Sequence, residues 1–388
     1  MKQTFSQQEQ EEAIAFLQAI IRFNTTNPPG NEKPLAEWLA SWLADRGVNA
    51  SVRDLGDDRA NLVAELPGTN SQGKLLYAGH LDTVPPGQQP WKFDPFAAAR
   101  ESGVIYGRGA SDMKSGIAAM AFAMATLARR GLELQQDILL LGTAGEEIDC
   151  RGAAAFVEDG GMEAVSAAVI GEPSNGDVII AHKGAAWLQL TVRGKTAHGS
   201  MPHLGKNAIL GMNAILNQLQ NAAFSVAPHS RLGVPTLSIN RIEGGVSTNV
   251  VPDTCWCQLD FRLIPGQTLE DAVALVQQAV DQTEVSQHGL STEIQVLAFR
   301  QPVACPENHP VIQTAWQCAS EASGSDVKIR GVNFFTDASI LFGSRELPVI
   351  FYGPGDDLLA HQPDEHVLIE KYLNSLEFYT NFALNWKR

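Results

Sequence analysis

Tyr77-Ala78-Gly79-His80-Leu81-Asp82-Thr83-Val84-Pro85 closes an apolar run, Leu75 to Ala78, with an imidazole and a carboxylate two residues apart. In an extended backbone that spacing puts both side chains on one side. One of the two could bind a metal and the other orient it. Working outward, further candidates follow: Asp112 in Gly107-Arg108-Gly109-Ala110-Ser111-Asp112-Met113-Lys114, Glu146-Glu147 after Leu139-Leu140-Leu141-Gly142, Glu172 in Gly171-Glu172-Pro173, and His361 in Ala360-His361-Gln362-Pro363. Most of them end or closely follow an apolar run, which is where an open α/β sheet places its ligands.

Each piece alone has an ordinary explanation as a turn, a satisfied surface pair or a solvated loop. Independent accidents would not repeatedly put acids and histidines at strand ends in one chain, so the set is read jointly. Zinc accepts imidazole nitrogen and carboxylate oxygen, and a catalytic ion keeps one position open. Two ions ~3.5–4 Å apart can share one carboxylate and clamp both the attacking and departing atoms.

At 388 residues the chain exceeds what one core usually organises, so two domains are expected. Asp plus Glu outnumber Lys plus Arg by 43 to 28, and no basic stripe occurs. That balance argues against nucleic acid or an anionic membrane as partner. Met1-Lys2-Gln3-Thr4-Phe5-Ser6-Gln7-Gln8-Glu9 has no apolar h-region, and no later apolar run is long enough to span a bilayer. A soluble, cytoplasmic protein is the expectation. Five scattered cysteines, an odd number, fit reduced thiols better than a disulfide framework. Cys255-Trp256-Cys257 lies in an alternating segment, so core or interface packing is expected there rather than a metal pair.

Two amphipathic helices open the chain, one with Ile14, Leu17 and Ile21 on a face, the next with Leu35, Trp38, Leu39, Trp42 and Leu43; Asn27-Pro28-Pro29-Gly30 makes the turn between them. Strand-like runs at 61–66, 74–78, 137–141 and 167–170 then alternate with helices near 115–130 and 151–158. That order predicts an α/β domain whose mostly parallel or mixed sheet is flanked by helices. From about Lys183 the rhythm becomes βαββαβ: strand 187–192, helix 207–219, strands 235–242 and 254–263, helix 269–285 and strand 291–299. This is the ferredoxin-like α+β arrangement, complete in itself. The expected organisation is therefore a first part at 1–182, an inserted domain at 183–299 and a second part at 300–388. In the latter a helix is expected at 311–322, strands near 327–331 and 348–352, and a last helix at 367–385.

These motifs, in this order, resemble the dinuclear-zinc family of acetylornithine deacetylases, succinyl-diaminopimelate desuccinylases, aminoacylases and glutamate carboxypeptidases, over nearly the whole length. The resemblance implies two zinc ions, with cobalt or manganese as substitutes: His80, Asp112 and Glu172 would hold one, and Asp112, Glu147 and His361 the other, Asp112 bridging. It implies a cis peptide at Asp112-Met113. It makes Asp82 the carboxylate that accepts the second imidazole N–H of His80, and Glu146 the general base that takes a proton from a metal-bridging water and returns it to the leaving amine. In Gly194-Lys195-Thr196-Ala197-His198-Gly199-Ser200, His198 matches the residue that stabilises the oxyanion, often in the partner subunit's site. His203 matches nothing catalytic. Asn249 and Arg262 are matched as substrate readers, Arg262 as the partner of a free carboxylate, with Gly355 in Gly353-Pro354-Gly355 offering backbone N–H. The inserted domain would then serve as lid and homodimer surface.

The expected function is a zinc-dependent amidohydrolase acting on a small N-acyl amino acid. A dipeptidase or carboxypeptidase of the same architecture is the alternative, and a non-catalytic metal-containing binding protein the remote one. Phe334-Phe335-Thr336-Asp337-Ala338-Ser339 matches neither the Ser-Gly-Thr-Ser-Asp nor the Thr-Glu-Ala-Pro wording of the named deacylases, which leaves the acyl group and amino acid open.

Overall fold

Four strands that precede or carry candidate ligands lie side by side and parallel: Gln136–Thr143, Asn70–His80, Val165–Ile170 and Val349–Phe351. Val165–Ile170 is buried along its whole length, as a strand covered on both faces must be. Parallel strands all present their carboxyl ends at one edge, so His80, the loop after Thr143, Glu172 and the loop after Phe351 emerge together.

The computed structural model describes residues 4–387 other than 223, 284, 286–288, 344 and 346, and the backbone alone at 70–72. Met1–Gln3, the start of the segment read for an apolar h-region, lie outside the described residues. Among these residues the parallel core belongs to a nine-stranded mixed sheet. Asn49–Gly56 and Arg59–Leu66 extend it antiparallel on one side, and Val178–His182, Val303–Ala304 and Ile329–Val332 on the other. Lys114–Arg130 is buried from Lys114 to Leu127 and stops at Gly131, whose φ of 58° suits a residue without Cβ. Gln7–Ile21 begins with a Ser6/Glu9 capping box and buries Ala13, Ile14, Phe16, Leu17, Ile20 and Ile21. Together with Ile369–Asn385 these helices share one apolar core with the sheet.

The chain divides into two compact units. The larger takes residues up to Ile180, Ala304–Gly331 and those from Thr336 onward; the smaller takes Ala181–Val303 and Val332–Phe335. Residues 332–335 join the smaller unit through Lys183 N–H donating to the Val332 carbonyl and through the edge contact of Phe335 with Trp187. In that unit the strands lie in the order Thr236–Gly244, Thr254–Leu263, Gly184–Arg193, Ser291–Arg300, all antiparallel. Ala208–Asn221 and Leu269–Asp281 cover one face. Cys255 and Cys257 alternate inward with Leu259, Phe261 and Leu263 and are core residues.

Sequence periodicity missed the hairpin of Ala99–Glu101 and Val104–Tyr106, which pairs with His366–Leu368. The last helix starts at Ile369 because Val367 belongs to that third strand. Helix 269–285 ends earlier than expected, at Asp281. All five cysteines are buried and none is in a disulfide, and no helix among the described residues is long and apolar enough to cross a membrane.

Candidate metal centre

His80 ends its strand with 1% of its side chain exposed. Its Nδ1 lies 2.9 Å from the main-chain carbonyl of Asp82 and 3.5 Å from Asp82 Oδ1. A carbonyl only accepts, so Nδ1 carries a hydrogen and Nε2 is the nitrogen left to ligate. Nε2 points at Asp112 Oδ1, 3.1 Å away. The closer acceptor is thus Asp82's carbonyl, while its carboxylate does something further: Oδ1 accepts from Glu146 N–H at 3.1 Å and Oδ2 from Glu147 N–H at 3.3 Å. One buried side chain fixes the backbone of both adjacent glutamates.

Asp112 lies just before helix Lys114–Arg130, across a cis Asp112–Met113 peptide bond. Its loop is held from below by Glu365, wholly buried, whose Oε1 accepts from Ser111 N–H at 2.8 Å and Asp112 N–H at 2.9 Å. Glu365 Oε2 pairs with the equally buried Arg108. Close packing completes the seat. A Cβ on Gly355 would stand 2.1 Å from the Ser111 carbonyl oxygen, and one on Gly79 2.1 Å from Met113 Cε.

Two triads result, each with ligand atoms within 4.8 Å of one another: His80, Asp112 and Glu172, and Asp112, Glu147 and His361. His361, at φ 64°, sets Nε2 3.1 Å from Glu147 Oε2 and 3.4 Å from Asp112 Oδ2. Asp112 belongs to both. Glu146 belongs to neither, although its backbone is fixed beside them.

The electrostatics of the cluster suits a cation. Burial pushes Glu146, Glu147 and Glu172 above the ordinary carboxylate range, and repulsion from neighbouring carboxylates, Asp112 and Asp337 among them, adds to it. Hydrogen bonds to Asp112 and Glu147 raise His361 to about 10. Burial opposes charge on His80, but Asp112 and Asp82 outweigh it and hold the imidazole well above its usual value. Asp337, hydrogen-bonded by the Thr143 hydroxyl and wholly buried, is pushed up to about 6. Among the described residues no Lys or Arg pairs with Glu146, Glu147 or Glu172. Glutamates crowded together with imidazole, and paired with no Lys or Arg among the described residues, fit bound divalent ions, and the nitrogen and oxygen donors suit zinc, cobalt or manganese.

The remaining expected residues are divided between the two units. Gly355 is in the larger unit beside Ser111, its carbonyl accepting from Asn175 N–H at 2.6 Å. His198 and Asn249 come together in the smaller unit, where Gly199 N–H donates to the Asn249 carbonyl at 2.7 Å. His198 Nδ1 accepts from Ser200 N–H, which leaves Nε2 as the ring nitrogen that can donate. Arg262 pairs with Asp260, Nε to Oδ1 at 3.0 Å, and its guanidinium lies 5.7 Å from the Phe335 ring centroid. Sequence reasoning missed Arg108, Glu365 and Asp337 as parts of the centre. Arg108 stood inside a motif already singled out, and Glu365 four residues past His361.

An open mixed α/β sheet with an acid and imidazole cluster at its carboxyl edge defines a class, the metal-dependent hydrolases. The chain belongs to peptidase family M20/M25/M40, whose sequence pattern matches residues 76–385. It is 30% identical over 398 residues to a probable succinyl-diaminopimelate desuccinylase of Staphylococcus epidermidis, covering 95% of this chain and 96% of that protein. It is 31% identical over 353 residues to an acetylornithine deacetylase of Vibrio cholerae, covering 88% of each. Among solved structures, aminopeptidase PepT of Bacillus cereus shares the fold with a TM-score of 0.79 at 21% identity, over 96% of this chain and 97% of that one.

Proposed function

We propose that the protein hydrolyses the amide bond of an N-acyl amino acid, releasing a carboxylate and an amine. The observation that carries this is the sharing of Asp112 between two triads with Glu146 set beside both. His80, Asp112 and Glu172 would hold one zinc ion, and Asp112, Glu147 and His361 the other. When bound, the ions supply Lewis acidity toward the scissile carbonyl and acidify water.

Glu146 takes the proton of the attacking water on its carboxylate and delivers it to the leaving nitrogen. Asp82 orients the His80 ring and the Glu146–Glu147 backbone. Nε2–H of His198 donates to the oxygen that gains charge, and Asn249, Arg262 and the Gly355 backbone bind the substrate, Arg262 at its carboxylate. His198 lies in the smaller unit, so that unit acts as a lid and as the contact to a second copy. Exposure of Leu210, of Val246 and of Ile242 in the largely exposed strand Thr236–Gly244 supports such a contact. The relatives' names favour deacylation over peptide cleavage.

The test is zinc-reconstituted protein assayed against acetyl-, succinyl- and aminoacyl-amino acids. Turnover of acyl-amino acids above dipeptides supports the reading. Dipeptides alone would move it to a dipeptidase, and no turnover by protein holding two ions would refute it.

A further inference from the structure

The turn that joins the first two helices reaches the centre by a route of its own. Thr25 donates through its hydroxyl to the Leu81 carbonyl at 2.7 Å, and Asn27 N–H donates to the Thr83 carbonyl at 2.8 Å. The turn therefore lies against the segment that carries Asp82. Asn27, 3% exposed, then donates from Nδ2 to Asp82 Oδ2 at 2.8 Å. This is the same oxygen that accepts from Glu147 N–H.

A second arm comes from the far end of the turn. Glu32, with no exposed surface, holds Arg59 by a fork, Oε2 to Nε at 3.0 Å and Oε1 to Nη2 at 2.7 Å. That guanidinium stands between two glycines. A Cβ on Gly30 of the turn would lie 2.7 Å from Arg59 Nε, and one on Gly145 would lie 2.8 Å from Nη2. Gly145 is the residue before Glu146, so Arg59 abuts the start of the loop that carries both glutamates.

We propose that Asn27, Glu32 and Arg59 are positioning residues for the Glu146–Glu147 loop, acting through Asp82 and Gly145. The inference rests on the proposed roles of those two glutamates. The physical reason is the softness of the carboxylate torsion. Rotation about an aspartate's terminal bond is broad, so the plane of Asp82 is set by what it bonds to. With the Asn27 amide in place, Oδ2 faces Glu147 N–H and Oδ1 faces Glu146 N–H and His80. Without it, one oxygen loses its closest donor and the plane is free to turn away from both backbone amides. Arg59 limits the same loop from the other side, and Glu32 keeps the fork flat against it.

Asn27→Ala is the direct test, in zinc-reconstituted protein. The expected result is a kcat lower by about 10- to 100-fold with KM within about twofold, and zinc affinity lower by at least about tenfold, the range for residues supporting metal ligands. Reduced thermal stability with unchanged kcat and zinc affinity in the folded protein would show mere scaffolding and overturn the inference. Should Asn27→Ala not fold, Arg59→Lys keeps the charge but not the fork, and the same fall in kcat and zinc affinity at constant KM is expected; unchanged values overturn the inference. Wild-type protein that fails to bind two ions or to hydrolyse any of the panel defeats the proposed function instead, so the two failures are distinct.

Discussion

Replacing Glu365 by Gln exchanges one carboxylate oxygen for NH2 and should weaken the centre without touching a candidate ligand. Glu365 has no exposed side-chain surface and Arg108 has 1%. One oxygen accepts from the amides of Ser111 and Asp112, and the other from Arg108 Nη1. A glutamine that keeps Oε1 on the two amides turns its NH2 toward the guanidinium, donor against donor. The flipped glutamine satisfies Arg108 and sets its NH2 against the two backbone N–H groups. Either way a buried group loses its partner; the other acceptor near Arg108 is the Pro85 carbonyl, 3.4 Å from Nη2. Breaking one side of a buried pair costs about 3–5 kcal/mol. At roughly 2–4 °C per kcal/mol for larger domains, the metal-free variant should melt about 6–20 °C below wild type. The freed Ser111–Asp112 loop should also lower zinc affinity by about 10- to 100-fold. Thermal unfolding of metal-free protein and a zinc titration read the two effects. A variant within about 1 kcal/mol of wild type that binds zinc equally tightly would refute the reasoning, since buried single replacements of this kind have no cheap escape.

Further outcomes follow from the same geometry. In metal-free protein the Asp112 and Glu147 carboxylates raise His361 to about 10, so zinc must expel its proton; the apparent affinity should rise with pH, roughly tenfold per unit for the one proton displaced, and calorimetry in buffers of different ionisation enthalpy should detect release near pH 7. Binding without proton release would contradict the protonated His361. Gly355→Ala places a methyl 2.1 Å from the Ser111 carbonyl oxygen and should cost about 1–3 kcal/mol and weaken zinc binding, whereas a neutral result would show that the loop yields freely. If His198 acts on a partner's centre, mixing inactive His198→Ala with inactive Glu146→Gln and exchanging subunits should restore up to about one active site per heterodimer; no recovery after verified exchange rejects the shared site.

What was legible in the sequence was whatever has a local signature. A side chain at or just past the end of a buried parallel strand is announced by the apolar run before it, so His80, Glu147 and Glu172 stand out as candidate ligands. The βαββαβ rhythm of the smaller unit is likewise a matter of period and turn spacing. The support of the ligands is long-range and has no period. Glu365 meets Ser111 across 254 residues, and Asp337 meets Thr143 across 194. Asn27 reaches Asp82 across 55 residues from what read as only a turn. The Ala99–Tyr106 hairpin escaped because three-residue strands bury too few side chains to show alternation, their order coming from His366–Leu368 beside them. The second role of Asp82 was hidden for a related reason: the groups it holds are backbone amides, which every residue has.

The central claim is that Glu147 ligates and its neighbour Glu146 moves the proton. Metal content and kcat of Glu146→Gln and Glu147→Gln, measured side by side, test it most directly. Glu146→Gln should retain two ions per chain and lose about 10²- to 10⁴-fold in kcat, because it keeps shape and deletes only the base. Glu147→Gln should lose metal. Metal loss in Glu146→Gln with two ions retained in Glu147→Gln would contradict the account.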